Sequence, residues 1–118
     1  MTEFILPNHH ISRINDNAFL NCKNLELVDL TNNNSLHSIG AAAFSNCINL
    51  KRLKLPKSLS VISMAAFLGC ENIELIEYTG TKEDWKSKYS QYTGLLIRLK
   101  PGCKIILNGG EHTIKKVN

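Results

Sequence analysis

No stretch of the chain approaches the roughly 20 consecutive apolar residues that a membrane-spanning helix needs. Its opening, Met1-Thr2-Glu3-Phe4-Ile5-Leu6-Pro7, carries an acid and no long apolar segment, unlike a secretory signal. As a natural start this predicts a cytoplasmic protein; as the trimmed part of a secreted parent it predicts an extracellular or cell-surface one. The usual marks of catalysis are missing too: there is no phosphate-cradling glycine loop, no His-Glu-x-x-His and no nucleophile elbow. His9-His10, His37 and His112 are scattered, and no paired carboxylates accompany them at a useful spacing, so no enzyme is expected. The four cysteines form no Cys-x-x-Cys pair and have no histidine beside them, which removes the common zinc patterns; neither metal nor cofactor is expected.

What is present is a phrase written three times. Ala18-Phe19-Leu20-Asn21-Cys22-Lys23-Asn24-Leu25 returns as Ala43-Phe44-Ser45-Asn46-Cys47-Ile48-Asn49-Leu50 and again as Ala66-Phe67-Leu68-Gly69-Cys70-Glu71-Asn72-Ile73. The phenylalanines are spaced by 25 and then 23 residues, a period that reads as a solenoid of stacked units. Each unit contributes a strand (Leu25 to Leu30, Leu50 to Leu55, Ile73 to Tyr78), a second apolar pair (Ile11 with Ile14, Leu36 with Ile39, Leu59 with Ile62) and the Ala-Phe-x-x-Cys segment, most simply a short helical turn. Asn21, Asn46 and Gly69 follow that turn, and these residue types tolerate left-handed backbone angles, so they predict a repeated C-terminal cap. Asn24, Asn49 and Asn72 form another column whose amides are expected to bond the loop backbone of the next coil. Cys22, Cys47 and Cys70 suit a tight interior as small buried residues; Cys103 has no assigned role. The residues around Thr31-Asn32-Asn33-Asn34-Ser35 account for the longer spacing and predict a bulging loop, which also holds a glycosylation sequon at Asn33.

These residues carry a resemblance. The pattern Leu-x-x-Leu-x-Leu-Pro-x-x-Leu-x-x-Ile-x-x-x-Ala-Phe-x-x-Cys, complete from Leu50 to Cys70, resembles the BspA-like (Treponema-type) leucine-rich repeats, and Ile76 to Lys86 is similar to the segment that closes such arrays. The resemblance implies a right-handed leucine-rich solenoid that binds other macromolecules, in proteins that are often secreted or surface-exposed. The expected fold is therefore an α/β repeat: a short solenoid of about three units over residues 1–80, with a C-terminal cap of helix and β-hairpin over residues 81–118. Within the cap, Thr81 and Asp84 form a capping-box arrangement, Trp85 and Tyr89 share a helix face, and Leu95 to Leu99, Lys104 to Leu107 and His112 to Val117 read as strands, with turns at Pro101-Gly102 and Asn108-Gly109-Gly110.

Strand alternation points Val28, Leu53 and Ile76 inward with Leu30, Leu55 and Tyr78. The outward columns are then Glu26–Lys51–Glu74, Asp29–Lys54–Glu77 and Leu27–Arg52–Leu75. In the first two, each lysine lies between acids on neighbouring strands and is largely neutralised. The third sets an arginine between two leucines, the composition of an interaction hot spot, and makes Leu27, Arg52, Lys54, Leu75 and Glu77 the candidate partner-binding face; the alternative is that the leucines only cover their neighbours. On the side of the short turns, Leu20, Met64 and Leu68 share positions with Ser45 and Ala41 and form at most an apolar strip.

The charge is unevenly spread. Residues 1–78 carry six Lys/Arg against seven Asp/Glu, whereas residues 79–118 carry eight against three. Lys82, Lys86, Lys88, Arg98, Lys100, Lys104, Lys115 and Lys116, with Trp85, Tyr89 and Tyr92 nearby, are candidates for contact with anions or nucleic acid; the alternative is a solvated cap with buried aromatics. Register extended backwards matches Phe4 and Leu6 to Leu53 and Leu55, leaving an uncapped first unit and a candidate homodimer edge. The function this predicts is a non-enzymatic module that binds a protein partner through a rigid solenoid surface. One alternative is a small intracellular inhibitor, of mobile-element or phage type, that acts on a nucleic-acid-handling protein through the basic cap; another is a fragment of a cell-surface adhesin.

Overall fold

A computed structural model describes residues 2–8, 10–63, 65–89, 102–107 and 112–115, with residues 86, 88, 89 and 112–115 described by backbone only. Among the described residues, nine short strands and one helix follow in the order β1 (Glu3–Ile5), β2 (Arg13–Ile14), β3 (Leu27–Asp29), β4 (Ser38–Ile39), β5 (Arg52–Leu55), β6 (Val61–Ile62), β7 (Leu75–Tyr78), α1 (Lys82–Tyr89), β8 (Lys104–Leu107) and β9 (His112–Lys115). They make a six-stranded sheet ordered β1-β3-β5-β7-β8-β9 and a three-stranded sheet ordered β2-β4-β6. Pairing is parallel between successive coils, as a solenoid requires, and turns antiparallel only at β8–β9.

The inward columns are as the alternation predicts. Val28, Leu30, Leu53, Leu55 and Ile76 are fully buried and Tyr78 nearly so, joined by Leu25, Leu50 and Ile73 at the strand approaches. Each such side chain contributes about 1.5–3 kcal/mol by leaving water. Ile14, Leu36, Ile39, Leu59 and Ile62 close the opposite side of the core. They do so on a second sheet that the apolar pairs alone did not announce, because two-residue strands are too short to display a period.

Between the sheets runs a column of rings. Phe19 stacks on Phe44 at 5.1 Å and Phe44 on Phe67 at 5.3 Å, both within 3° of parallel, and Phe4 meets Phe19 at 4.5 Å and a steeper tilt. The segment that carries these rings is an arc of turns rather than the short helix expected. Alternate amides stay local, from Ala18 to the Asn15 carbonyl and from Leu20 to that of Asn17. The intervening amides of Asn17, Phe19 and Asn21 cross to the carbonyls of Ala41, Ala43 and Ser45 in the next coil. A helix would spend all of its amides internally and leave the neighbouring coil's carbonyls unpaired in the core. With no helix to cap, what holds of the expected caps is the backbone angle, left-handed with φ of 63° at Asn21, 60° at Asn46 and 83° at Gly69. Asn17 and Ala42 share the conformation at φ 62° and 56°, which lets the arc curve twice.

The asparagine column bonds backwards, not forwards: Asn49 Nδ2 donates to the Lys23 carbonyl at 2.6 Å and Asn72 Nδ2 to that of Ile48 at 2.7 Å. The thiols follow the same rule, Cys47 Sγ to the Phe19 carbonyl at 3.3 Å and Cys70 Sγ to that of Phe44 at 2.9 Å. The Cys70 thiol is held well above its usual pKa, first by its hydrogen bond with Cys47 and then by burial, and burial likewise raises Cys22. Cys47 is shifted the other way, its thiolate favoured by the hydrogen bond from Cys70, but Cys47, Cys70 and Cys103 are all buried. Because a reagent must reach the thiolate to react with it, a colorimetric thiol reagent is expected to modify at most the half-buried Cys22 in folded protein. Cys47, Cys70 and Cys103 should react only after denaturation; rapid native labelling of Cys47 or Cys70 would contradict this packing.

The loop at residues 31–35 bulges as expected, but Asn33 does not face out. It is fully buried, its Oδ1 accepts the Ser35 amide at 2.7 Å, and its Nδ2 reaches the Pro7 carbonyl at 3.4 Å. The folded protein thus does not offer this sequon to a glycan. In the cap, the Asp84 amide bonds Thr81 Oγ1 at 3.1 Å, and the Asp84 carboxylate accepts the Tyr78 hydroxyl at 2.5 Å. Trp85 is buried edge-on against Tyr78 at 5.5 Å. The expected strand at Leu95–Leu99, the Asn108-Gly109-Gly110 turn, the Tyr89 side chain and Met64 lie outside what is described. The expected strand from His112 to Val117 is described over His112–Lys115.

Candidate binding face

The outward side of the six-stranded sheet is fixed by register. Leu27 pairs with Arg52, Arg52 with Leu75, and Leu75 with Lys104; Asp29 pairs with Lys54 and Lys54 with Glu77. The approaches continue the ladder, since the Lys51 amide donates to the Glu26 carbonyl and the Glu74 amide to that of Lys51. Leu27 and Leu75 are half-buried and flank Arg52, whose side chain is 49% exposed. Its guanidinium reaches diagonally to Glu77 at 3.4 Å, and the same carboxylate takes Lys54 at 3.6 Å. The structure therefore brings Leu27, Arg52, Lys54, Leu75 and Glu77 onto one surface. An open cleft of about 230 Å³ beside them is lined by Thr2, Glu3, Glu26, Leu27, Lys51 and Arg52.

The charge lattice departs from expectation in both lysine columns: among the described residues no ion pair joins Lys51 to Glu26 or Glu74, and Lys54 is paired on one side only. Lys54 takes its ion pair from Glu77, while Asp29 turns to its own loop and accepts the Thr31 amide at 2.9 Å and the Thr31 hydroxyl at 2.6 Å. A carboxylate at a strand end finds an amide two residues on within easy reach, and that local bond costs less ordering than a long cross-strand lysine. The exposed pairs that remain are worth about 0.2–1 kcal/mol each. Their effect is to hold long side chains in place more than to stabilise the fold.

Of the basic C-terminal candidates, the side chains of Lys82 and Lys104 are described. Lys104 is exposed and joins the Leu27–Arg52–Leu75 column of the strand face, while Lys82 is exposed at the start of α1. Lys86, Lys88 and Lys115 are described by backbone only, on α1 and β9, and Arg98, Lys100 and Lys116 lie outside the described residues. A second open cleft, of about 520 Å³, meets the start of α1 among Lys57, Thr79, Gly80, Thr81, Glu83, Asp84 and Ser87. The acids Glu83 and Asp84 in the first helical turn make it a poor seat for a phosphate.

At the uncapped first unit, Phe4 is half-buried under Phe19 and Leu6 is only 3% exposed, so neither forms an apolar edge. What β1 shows to solvent is Ile5, 49% exposed, which register places beside Asp29. The expected apolar strip on the turn side is broken. Leu20 and Leu68 are both 41% exposed, but Ser45 between them is buried with its Oγ donating to the Leu68 carbonyl at 3.0 Å. Sequence reasoning also missed a contact on the second sheet, where Ser60 Oγ exchanges a hydrogen bond with the His37 ring at 3.1 Å. Column position, with both residues just before a two-residue strand, is the signal that would have found it.

Among the described residues no group of three or more His, Cys, Asp or Glu side chains is placed to hold a metal ion, and no helix is long and apolar enough to cross a membrane. In comparisons with known proteins, the family model described as BspA type leucine rich repeat region matches residues 1–97 in 6 copies. Neither a curated protein nor a solved structure matches the chain.

Proposed function

Because the chain belongs to the BspA-type leucine-rich repeat family, we propose that it is a non-enzymatic protein-binding module whose working surface is the outward face of β3, β5 and β7. The observation that carries this is the Leu27–Arg52–Leu75 column: a half-exposed arginine between two half-buried leucines, its guanidinium already braced by Glu77. Arginine beside apolar surface is a frequent centre of binding energy. A side chain fixed before contact loses less freedom on binding. Parallel strands supply that rigidity, since each position on the face is set by backbone bonds on both sides.

The test is capture from nuclease-treated native extract, comparing unaltered protein with Arg52→Glu and with Leu68→Ser, a change on the turn side that copies Ser45. Arg52→Glu should lower recovery of a bound protein at least about tenfold with an unchanged circular dichroism spectrum, and Leu68→Ser should not lower it. Equal recovery from the Arg52→Glu protein would remove the strand face from consideration. If recovery depended instead on intact nucleic acid, the basic C-terminal residues would be the contact.

A further inference from the structure

From β3 to β8 the strand face changes sign from one strand to the next. β3 with its approach presents Glu26 and Asp29, β5 presents Lys51, Arg52 and Lys54, β7 presents Glu74 and Glu77, and β8 presents Lys104. A series that runs acidic, basic, acidic, basic is its own complement when reversed end for end. We infer that the partner of this face includes a second copy of the chain, docked face to face about a two-fold axis that runs parallel to the strands and passes between β5 and β7. This inference rests on the strand-face reading above and names an occupant for it.

The register follows from the charges. With the axis between β5 and β7, each β5 lies over the partner's β7 with charges opposed, and each β3 lies over the partner's β8, where Lys104 falls on the partner's Leu27, between the flanking acids Glu26 and Asp29. Centring the axis on β5 would lay three cations on three cations. An axis along the stacking direction would set every strand over its own copy, like sign on like. Because a two-fold parallel to the strands preserves position along them, residues oppose within one column: Lys51 meets the partner's Glu74, Lys54 meets the partner's Glu77, and Arg52 lies on the partner's Leu75. The contact is isologous and closes after two copies, so it does not propagate into a fibre.

The molecule measures 31 × 30 × 23 Å, which limits any one face to roughly 700–900 Å². Only part of that lies in the banded strip, so the pair belongs among small, reversible interfaces below the standard size of about 800 Å² per partner. Charge-matched contacts of this kind weaken as salt rises.

Sedimentation velocity over a concentration series at low and high sodium chloride tests this with two variants. Lys51→Glu with Lys54→Glu makes β5 acidic, and Glu74→Lys with Glu77→Lys makes β7 basic. Unaltered protein should self-associate reversibly, less so at high salt, and each variant alone should dissociate at least tenfold more readily. An equal mixture of the two should recover association, because the acidic β5 of one then faces the basic β7 of the other. That recovery also shows that both variants are folded; should either fail to fold, Lys54→Gln combined with Glu77→Gln, which leaves no net repulsion, should still weaken the pair. Unaltered protein that stays monomeric at every concentration overturns the inference, as does a folded mixture that does not recover. Monomeric behaviour together with loss of partner capture by Arg52→Glu would discard the second copy and keep the strand face; monomeric behaviour with capture unchanged by Arg52→Glu would discard both.

Discussion

Phe44→Ala is expected to cost about 3–5 kcal/mol of folding stability, among the largest effects of any single truncation at the described residues. Phe44 is fully buried and stands in the middle of the ring column, with Phe19 on one side and Phe67 on the other. Its removal opens a gap on both faces at once, and the coils above and below cannot close it. Their spacing is set by backbone bonds such as Phe44 to the Ala66 carbonyl. A domain of this size has about 5–15 kcal/mol in total, so the variant should unfold at much lower urea or not fold at all. In a stack where each unit is stabilised mainly by its neighbours, losing the middle contact uncouples the two ends as well. Equilibrium urea unfolding followed by circular dichroism measures the loss. Phe4→Ala, at the half-buried end of the column, serves as the lesser case. A Phe44→Ala loss under about 1 kcal/mol would show that the rings are not a continuous core.

Gly40→Ala should cost about 1–3 kcal/mol, in the range seen when a packed site is overfilled. A β-carbon at Gly40 would lie 2.3 Å from Asp16 Oδ1 and 2.7 Å from the Asp16 backbone nitrogen. The carboxylate could swing aside, though it would release the Ala41 amide it accepts at 2.8 Å. The backbone nitrogen cannot move without opening the first two coils and straining the bond from the Gly40 amide to the Ile14 carbonyl. The check is whether Asp16→Ala relieves the substitution. If backbone is the obstacle, the double variant stays destabilised in the same unfolding experiment; full recovery would place the clash on the carboxylate alone.

Much of this fold was legible in the sequence because a repeat states each structural demand several times. A lone Asn21 says little about backbone angle; Asn21, Asn46 and Gly69 in register say that the position is left-handed, and their φ values agree. The same repetition gave the inward columns and the outward order Leu27–Arg52–Leu75. What did not repeat was not legible. Ala42 adopts a left-handed angle although alanine carries no sign of it. Strands of two residues, such as Ser38–Ile39, offer one inward and one outward position and so no pattern from which a second sheet could be inferred. Lys104 to Leu107 was recognisable as a strand, yet nothing local says that its parallel partner is β7, so Lys104 was grouped with the basic tail and not with the binding face. Asp29 was misplaced for the opposite reason: a purely local bond to Thr31 outcompeted a cross-strand one.

The side-chain bonds that the cysteine and asparagine columns make between coils run one way. Cys47 and Asn49 donate to the coil before them, and so do Cys70 and Asn72, while the acceptors are main-chain carbonyls of Phe19, Lys23, Phe44 and Ile48. The order in which a ribosome delivers the chain is therefore the order in which these bonds can close. When Cys47 and Asn49 emerge, the carbonyls that receive them have already been synthesised, and neither residue waits for sequence still inside the exit tunnel. For these two columns translation supplies the template before the part that is laid on it, whereas the arc amides of Asn17, Phe19 and Asn21 wait for the carbonyls of the coil that follows.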